Sequence, residues 1–247
     1  MNLSKRLEIE ENGYKVISIA GGGGKTTTMN RLAKELSQEG KKVLISTTTA
    51  MMMPESGDYD YFITEEEFLE DPKVLELSAE RGKIAVLIGT MIRIDKVKGV
   101  EMPIIDRIKE MEIYDYIIVE TDGAKRKPIK APREDEPLNP YSTDLVIGII
   151  GLDSLGKKIE EENIHRVEIF KKILNITDEK YIDEELVAAL ALHPQGLFKN
   201  AVGKDQVLIL NKADDYELRE RGEKIREFIQ EKNTHIKDII VMSLIGE

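Results

Sequence analysis

The sequence has no cysteine and no tryptophan, and only three histidines, His165, His193 and His235. Without cysteine there is no disulfide framework, no thiolate metal site and no cysteine nucleophile, so the chain performs no redox chemistry of its own. Three scattered histidines do not make a metal site. Positive charge is also scarce: 36 Lys+Arg stand against 47 Asp+Glu, a net charge of -11. That balance works against broad binding to nucleic acid or to an anionic membrane, and any anionic ligand must be held locally. No apolar run approaches the roughly 18 residues of a membrane span, and the stretch from Met1 to Lys15 is charged throughout. Neither a span nor a signal peptide is expected, and the expected compartment is the cytoplasm. What is present, 247 residues with 41% hydrophobic and 34% charged, describes an ordinary globular chain. It is read as a single domain over residues 1–247.

Short apolar runs rich in β-branched residues recur between helical patterns, at Lys15–Ala20, Val43–Thr48, Ile84–Gly89, Tyr116–Thr121, Leu145–Gly151, Val207–Asn211 and Ile239–Ser243. Runs that are apolar on both faces and alternate with helices suit parallel strands covered by helices. Helices are expected over Thr26–Gln38, closing at Gly40, over Val167–Leu174 and over Tyr216–Lys232. The pattern predicts a three-layer α/β/α fold with a mostly parallel, doubly wound sheet of about seven strands. One segment breaks it. Asp122–Ser142 holds four of the eight prolines and a basic cluster followed by an acidic one. It reads as a long functional loop, neither helix nor central strand.

Directly after the first strand comes Gly21-Gly22-Gly23-Gly24-Lys25-Thr26-Thr27-Thr28, leading into a helix. Glycines let successive backbone N–H groups turn toward one anion, the helix start adds partial positive charge, and a lysine here reaches the outer phosphates. Thr26 offers a hydroxyl to Mg²⁺. The loop is a variant, because Ile19 stands where the first glycine of the usual spacing would be. The strand Tyr116–Thr121 runs into Glu120-Thr121-Asp122-Gly123. Acidic groups at the C-terminal end of a buried strand can hold Mg²⁺ or orient water, and Gly123 can offer its N–H to a γ-phosphate. The roles of Glu120 and Asp122 are left open between them. Thr48, in the run Ser46-Thr47-Thr48-Thr49 that ends the second strand, is a further candidate for Mg²⁺.

A late strand ends in Asn211-Lys212-Ala213-Asp214, the N-K-x-D form used to read guanine. A carboxylate such as Asp214 accepts from both N1–H and the exocyclic amine of guanine and meets the wrong pattern in adenine. Asn211 supports the base or the loop, and the Lys212 stem packs on the ring. Ser243, ending the final strand, helps enclose the base through its backbone. Met51-Met52-Met53 reads as core filler or a sticky surface, His193 beside Pro194 as part of a turn, and His165-Arg166 as a phosphate or substrate contact at a helix start.

On these residues the chain resembles the YqeC family, accessory proteins for selenium-dependent molybdenum hydroxylases. The resemblance spans nearly the whole chain and also takes in Lys130-Ala131-Pro132, Glu136-Pro137 and Gly151-Leu152-Asp153. It departs from the family at Gly22, where alanine is usual, and at Asp135, where histidine is usual before Glu-Pro. The resemblance implies a nucleotide-binding protein of the P-loop NTPase class with a part in selenium or molybdenum cofactor maturation. The expected ligands are Mg²⁺ and GTP, with ATP as the alternative, and the expected partners are a client protein, a small anionic molecule and a second copy of the chain in a homodimer. The leading reading is a GTPase whose hydrolysis drives a maturation step. The enzyme alternative is a kinase or nucleotidyltransferase in which Lys125, Arg126, Lys127, Lys130 and Arg133 grip an anionic acceptor. A third reading is a nucleotide-gated binding module without turnover.

Overall fold

In the computed structural model, which describes residues 2–177, 181–232 and 235–244, every one of the seven apolar runs is a strand. The elements in chain order are α1 (Leu3–Arg6), β1 (Val16–Gly21), α2 (Lys25–Gln38), β2 (Val43–Thr47), β3 (Met51–Met52), β4 (Tyr61–Thr64), α3 (Glu65–Glu70), α4 (Lys73–Ser78), β5 (Ile84–Ile88), β6 (Met91–Arg93) and β7 (Lys96–Val97). They continue with α5 (Met102–Glu110), β8 (Tyr116–Glu120), β9 (Ile129–Lys130), β10 (Leu145–Gly151), β11 (Ile164–His165), α6 (Val167–Ile173), α7 (Glu184–Leu192), β12 (Asp205–Asn211), α8 (Tyr216–Glu231) and β13 (Ile236–Val241). The main sheet has eight strands, in the order β13-β12-β10-β1-β8-β2-β5-β4, and it is mostly parallel with flanking helices. The strand beyond the expected seven is β4, where only Ile63 is buried.

The chain divides into two compact units, and the division falls within β1, after Ser18. The first unit takes the residues up to Ser18, Thr26–Thr121 and Leu138–Leu145. In it β2 pairs in parallel with β5 and with β8, placing Ile45 beside Val86 and Ile118, and β4 pairs in parallel with β5. Strands β2, β5 and β8 are buried at every position, which is why they read as continuous apolar runs. Their side chains pack with Phe68 of α3, Leu75 of α4 and Ile105 and Ile108 of α5. Helix α2 stops where expected: Gly40 turns to φ +78°, its N–H reaches the Ser37 carbonyl at 2.8 Å, and the Lys41 N–H reaches Leu36 at 3.1 Å.

The second unit takes Ile19–Lys25, Asp122–Pro137 and the residues from Val146 onward. Here β12 and β13 pair in parallel with Ile209 beside Ile240, and Val146, Phe170, Leu190, Leu208 and Ile225 share one core. Helix α8 starts on Asp215, whose carboxylate accepts the Leu218 N–H at 2.8 Å. The proline-rich loop contains no helix and no strand of the main sheet. Its one regular piece is β9, which pairs in parallel with β11 and sets Lys130 beside His165.

Candidate functional site

In the second unit, β1 opens into the glycine loop because the backbone there takes conformations that only glycine holds easily. Gly21 lies at φ +99° and Gly24 at φ +144°. A Cβ on Gly21 would stand 2.2 Å from the Ile149 carbonyl oxygen, and one on Gly24 would stand 2.4 Å from Asn211 Nδ2. Gly22 donates its N–H to Ile149 at 2.8 Å. The loop closes on Lys25, which is buried and folds its ammonium back onto the Gly21 carbonyl at 2.9 Å. Asp122 holds the same loop from the other side. Its Oδ2 accepts the Gly21 N–H at 2.9 Å and lies 3.0 Å from Lys130 Nζ, while its buried Oδ1 makes no hydrogen bond and faces Lys25 Nζ at 3.4 Å. Gly123, next in the chain, has open space where a Cβ would be.

In the first unit, Thr26 and Thr27 begin the exposed side of α2. The Thr26 hydroxyl donates to Glu120 Oε2 at 2.8 Å, and Glu120 is buried at the end of β8. The two acids left undivided by the sequence therefore have different company: Asp122 is tied to cations, Glu120 to a hydroxyl. Thr47 and Thr48 bind the Glu120 backbone carbonyl, at 2.9 Å through the Thr47 hydroxyl and at 3.1 Å through the Thr48 N–H. The Thr48 hydroxyl, expected near Mg²⁺, donates instead to the Leu138 carbonyl at 2.9 Å. Of the methionine trio, Met51 is buried and Met52 is exposed.

The N-K-x-D segment lies in the second unit and is tied to the glycine loop. Asn211 Nδ2 donates to the Gly23 carbonyl at 2.7 Å, and its Oδ1 accepts the Leu244 N–H at 3.0 Å. Lys212, at φ +66°, pairs with Asp153 at 2.9 Å. Asp214 is exposed and accepts the Ser243 hydroxyl at 2.6 Å through Oδ1. Ser243, expected to help enclose the base through its backbone, holds this segment through its side chain. Asp153 entered the sequence reading only within a family motif, and its partner was not foreseeable from spacing.

The basic stretch divides into two kinds of residue. Lys130 does not face solvent for an acceptor: it is fully buried, with its ammonium 2.6 Å from Glu136, 3.0 Å from Asp122 and 3.0 Å from the Gly123 carbonyl. Burial of so large a cation is tolerable only because two carboxylates and a carbonyl surround it. Arg133 is exposed and paired with Asp135 and Glu136, both at 3.2 Å. Lys125 and Arg126 are exposed in successive left-handed conformations and, among the described residues, make no ion pair or hydrogen bond through their side chains. Glu136, which the sequence did not single out for chemistry, gathers Lys130, Arg133 and a two-pronged Arg166. Burial pushes its carboxyl up, but Arg166 and Lys130 outweigh that and hold it down at about 2. His165 is half-buried, and burial followed by Arg166, Lys130 and Lys125 lowers its imidazole to about 4. His193 lies in a turn, as expected, its Nδ1 accepting the Gln195 N–H at 3.0 Å.

The YqeC protein family matches residues 17–168, more than half of the chain. The uncharacterized protein YqeC of Escherichia coli K12 is 37% identical over 186 residues, covering 75% of this chain and 70% of that protein. Among solved structures, the hydrogenase maturation factor HypB of Archaeoglobus fulgidus aligns with a TM-score of 0.45 at 14% identity, over 99% of this chain and 89% of its own. HypB of Helicobacter pylori in complex with nickel aligns with a TM-score of 0.40 at 14% identity, over 99% and 86%. On the family match and the identity to the Escherichia coli protein, the chain belongs to the YqeC family.

Proposed function

We propose that this chain is a Mg²⁺-dependent guanine-nucleotide hydrolase of the P-loop class, working as one nucleotide-binding domain. The observation that carries the reading is the hydrogen bond from Asn211 to Gly23, which joins a base-reading segment to a phosphate-binding loop within one unit. In this reading the N–H groups of Gly21–Gly24 and the ammonium of Lys25 take the phosphates. Asp214, steadied by Ser243, reads the base. Lys212 covers the ring, and Gly123 borders the outer phosphate.

Thr26 and Glu120, both in the first unit, fit a hard divalent cation, since a hydroxyl and a carboxylate lie 2.8 Å apart. Mg²⁺ there would supply positive charge to a bound anion. Thr48, whose hydroxyl is engaged by Leu138, takes no direct part in this assignment. Asp122 serves the loop by fixing Gly21 and Lys25. The family resemblance supports a role as an accessory factor in selenium or molybdenum hydroxylase maturation, and a client protein is then the expected trigger of turnover.

The test is equilibrium binding of Mg·GTP and Mg·ATP to wild type and to Asp214→Asn. Wild type should prefer GTP, and the variant should shift its preference toward xanthine nucleotides. Equal affinity for GTP and ATP in wild type would reject the guanine assignment. The unpaired side chains of Lys125 and Arg126 favour a second reading, a kinase or nucleotidyltransferase with its acceptor at the 122–142 loop. Such an enzyme would hydrolyse nucleotide slowly alone and accelerate with its acceptor, whereas a GTPase responds to a protein.

A further inference from the structure

The second unit holds a group of side chains that nucleotide binding and Mg²⁺ leave unused. His165 projects from β11 beside Lys130 of β9, half-buried, and among the described residues neither ring nitrogen makes a hydrogen bond. The charged groups that face it are Arg166, Lys130 and Lys125, all cations, and the single carboxylate Glu136. Glu136 is already shared among Lys130, Arg133 and Arg166. Lys130, Arg133 and Arg166, with Lys125 nearby, gather around the carboxylates of Asp122, Asp135 and Glu136. This gathering of cations stands in a chain of net charge -11.

Its placement is equally specific. The turn that carries Lys125 and Arg126 closes by a 2.9 Å hydrogen bond from the Lys127 N–H to Ala124 and runs against the glycine loop, where a Cβ on Gly22 would stand 2.6 Å from the Lys127 carbonyl oxygen. Two successive non-glycine residues in left-handed conformation cost about 1–3 kcal/mol each, and here they present two cations that no carboxylate among the described residues takes up.

We propose that His165, Lys125 and Arg166 form a binding site for a tetrahedral dianionic oxyanion, the phosphate-like group of a second substrate, held beside the nucleotide's phosphates and distinct from them. Lys125 supplies mobile charge and Arg166 fixed charge. The imidazole supplies a hydrogen bond, gaining a proton as the dianion offsets the cations around it. The site does not depend on which base the nucleotide carries, so loss of the guanine assignment leaves it standing.

The probe is sulfate, which does not titrate near neutral pH. The readout is the pH titration of the imidazole proton signals of the full-length protein, in which only three histidines resonate and His165→Gln identifies the one of interest. Sulfate should raise the His165 midpoint from about 4 toward 6.5, while sodium chloride at the same ionic strength should not. The rise should persist in protein saturated with Mg²⁺ and a non-hydrolysable GTP or ATP analogue. Lys125→Ala, which removes no contact from the folded chain, should weaken the sulfate response about tenfold, as expected for one lost charge-assisted contact. An equal rise with chloride would mean screening or an adventitious ion only and would overturn the proposal. So would a rise abolished by the analogue, since the cluster would then be the place of the nucleotide's own outer phosphate. No change with sulfate overturns it outright, and should no analogue bind, the sulfate and Lys125→Ala results decide alone.

Discussion

Glu136 is the residue whose neutralisation should be felt most strongly at neutral pH. Its side chain is 2% exposed and is held by Lys130 at 2.6 Å, by both prongs of Arg166 and by Arg133 at 3.2 Å. Its carboxyl titrates at about 2 when folded, against 4.5 for the ordinary group, and each unit is worth about 1.4 kcal/mol. The ionised form therefore contributes about 3 kcal/mol to stability at pH 7. The folded value is the depressed one, so the contribution is complete above about pH 5, falls to roughly half near pH 3 and is nearly gone at pH 2. Glu136→Gln keeps the shape and removes the charge. Lys130 keeps Asp122 at 3.0 Å, so the cost should sit near the lower end of the roughly 3–5 kcal/mol found when one member of a buried ion pair is removed. Urea unfolding of wild type and variant at pH 7, 5, 4 and 3 measures the difference directly. It should be about 3 kcal/mol at pH 7 and less than about 2 at pH 3. A difference that stays constant from pH 7 to pH 3 would refute the reasoning, because the loss would then come from packing and not from charge.

Other outcomes follow from the loop and the base segment. Gly24→Ala should lower the melting temperature and abolish nucleotide binding, since its backbone sits at φ +144° and the added carbon meets Asn211 Nδ2 at 2.4 Å; backbone strain alone is worth about 1–3 kcal/mol, and an unchanged melting curve would contradict the described loop. Ser243→Ala should reduce the preference for GTP over ATP by about fivefold, the equivalent of one hydrogen bond of about 1 kcal/mol, as measured by the ratio of dissociation constants; an unaltered ratio would separate Ser243 from base reading. Lys25→Ala should lower nucleotide hydrolysis about 10²-fold in a phosphate-release assay while the fold persists, because Asp122 retains Lys130 at 3.0 Å.

The parts of the fold legible in the sequence were those with a strong period. Strands β1, β2, β5, β8 and β10 are buried at every residue, so each stands out as an unbroken apolar run. Strand β4 shows four residues with one buried, too short for an alternating pattern to register. Helix α7 fails for the opposite reason: from Leu186 to Leu192 it is apolar without interruption, which leaves no polar face to set a period. The glycine loop and the N-K-x-D segment were legible because they are local in sequence. The bond between Asn211 and Gly23, 188 residues apart, is not local, nor is that between Arg166 and Glu136, 30 residues apart. Lys130 was misplaced on this account. A lysine in a basic run looks solvated until the fold brings Asp122 and Glu136 around it.

The same buried charges would let an acidic chain hold an anion at its glycine loop, as the proposed function requires. Lys25 without a phosphate is a buried ammonium, which cannot persist unpaired. The Gly21 carbonyl at 2.9 Å and Asp122 at 3.4 Å are among the groups that hold it. When Lys25 turns to a phosphate, as the proposed function requires, Asp122 does not become an isolated buried carboxylate, because it keeps Lys130 at 3.0 Å and the Gly21 N–H at 2.9 Å. Lys130 is in turn secured by Glu136, and Glu136 by Arg166. The exchange therefore costs the Gly21 hydrogen bond and one long ion pair and not the desolvation of a lone charge, a difference of several kcal/mol in a buried setting. Under the proposed function, nucleotide affinity would therefore depend on Lys130, Glu136 and Arg166 as well as on the loop itself.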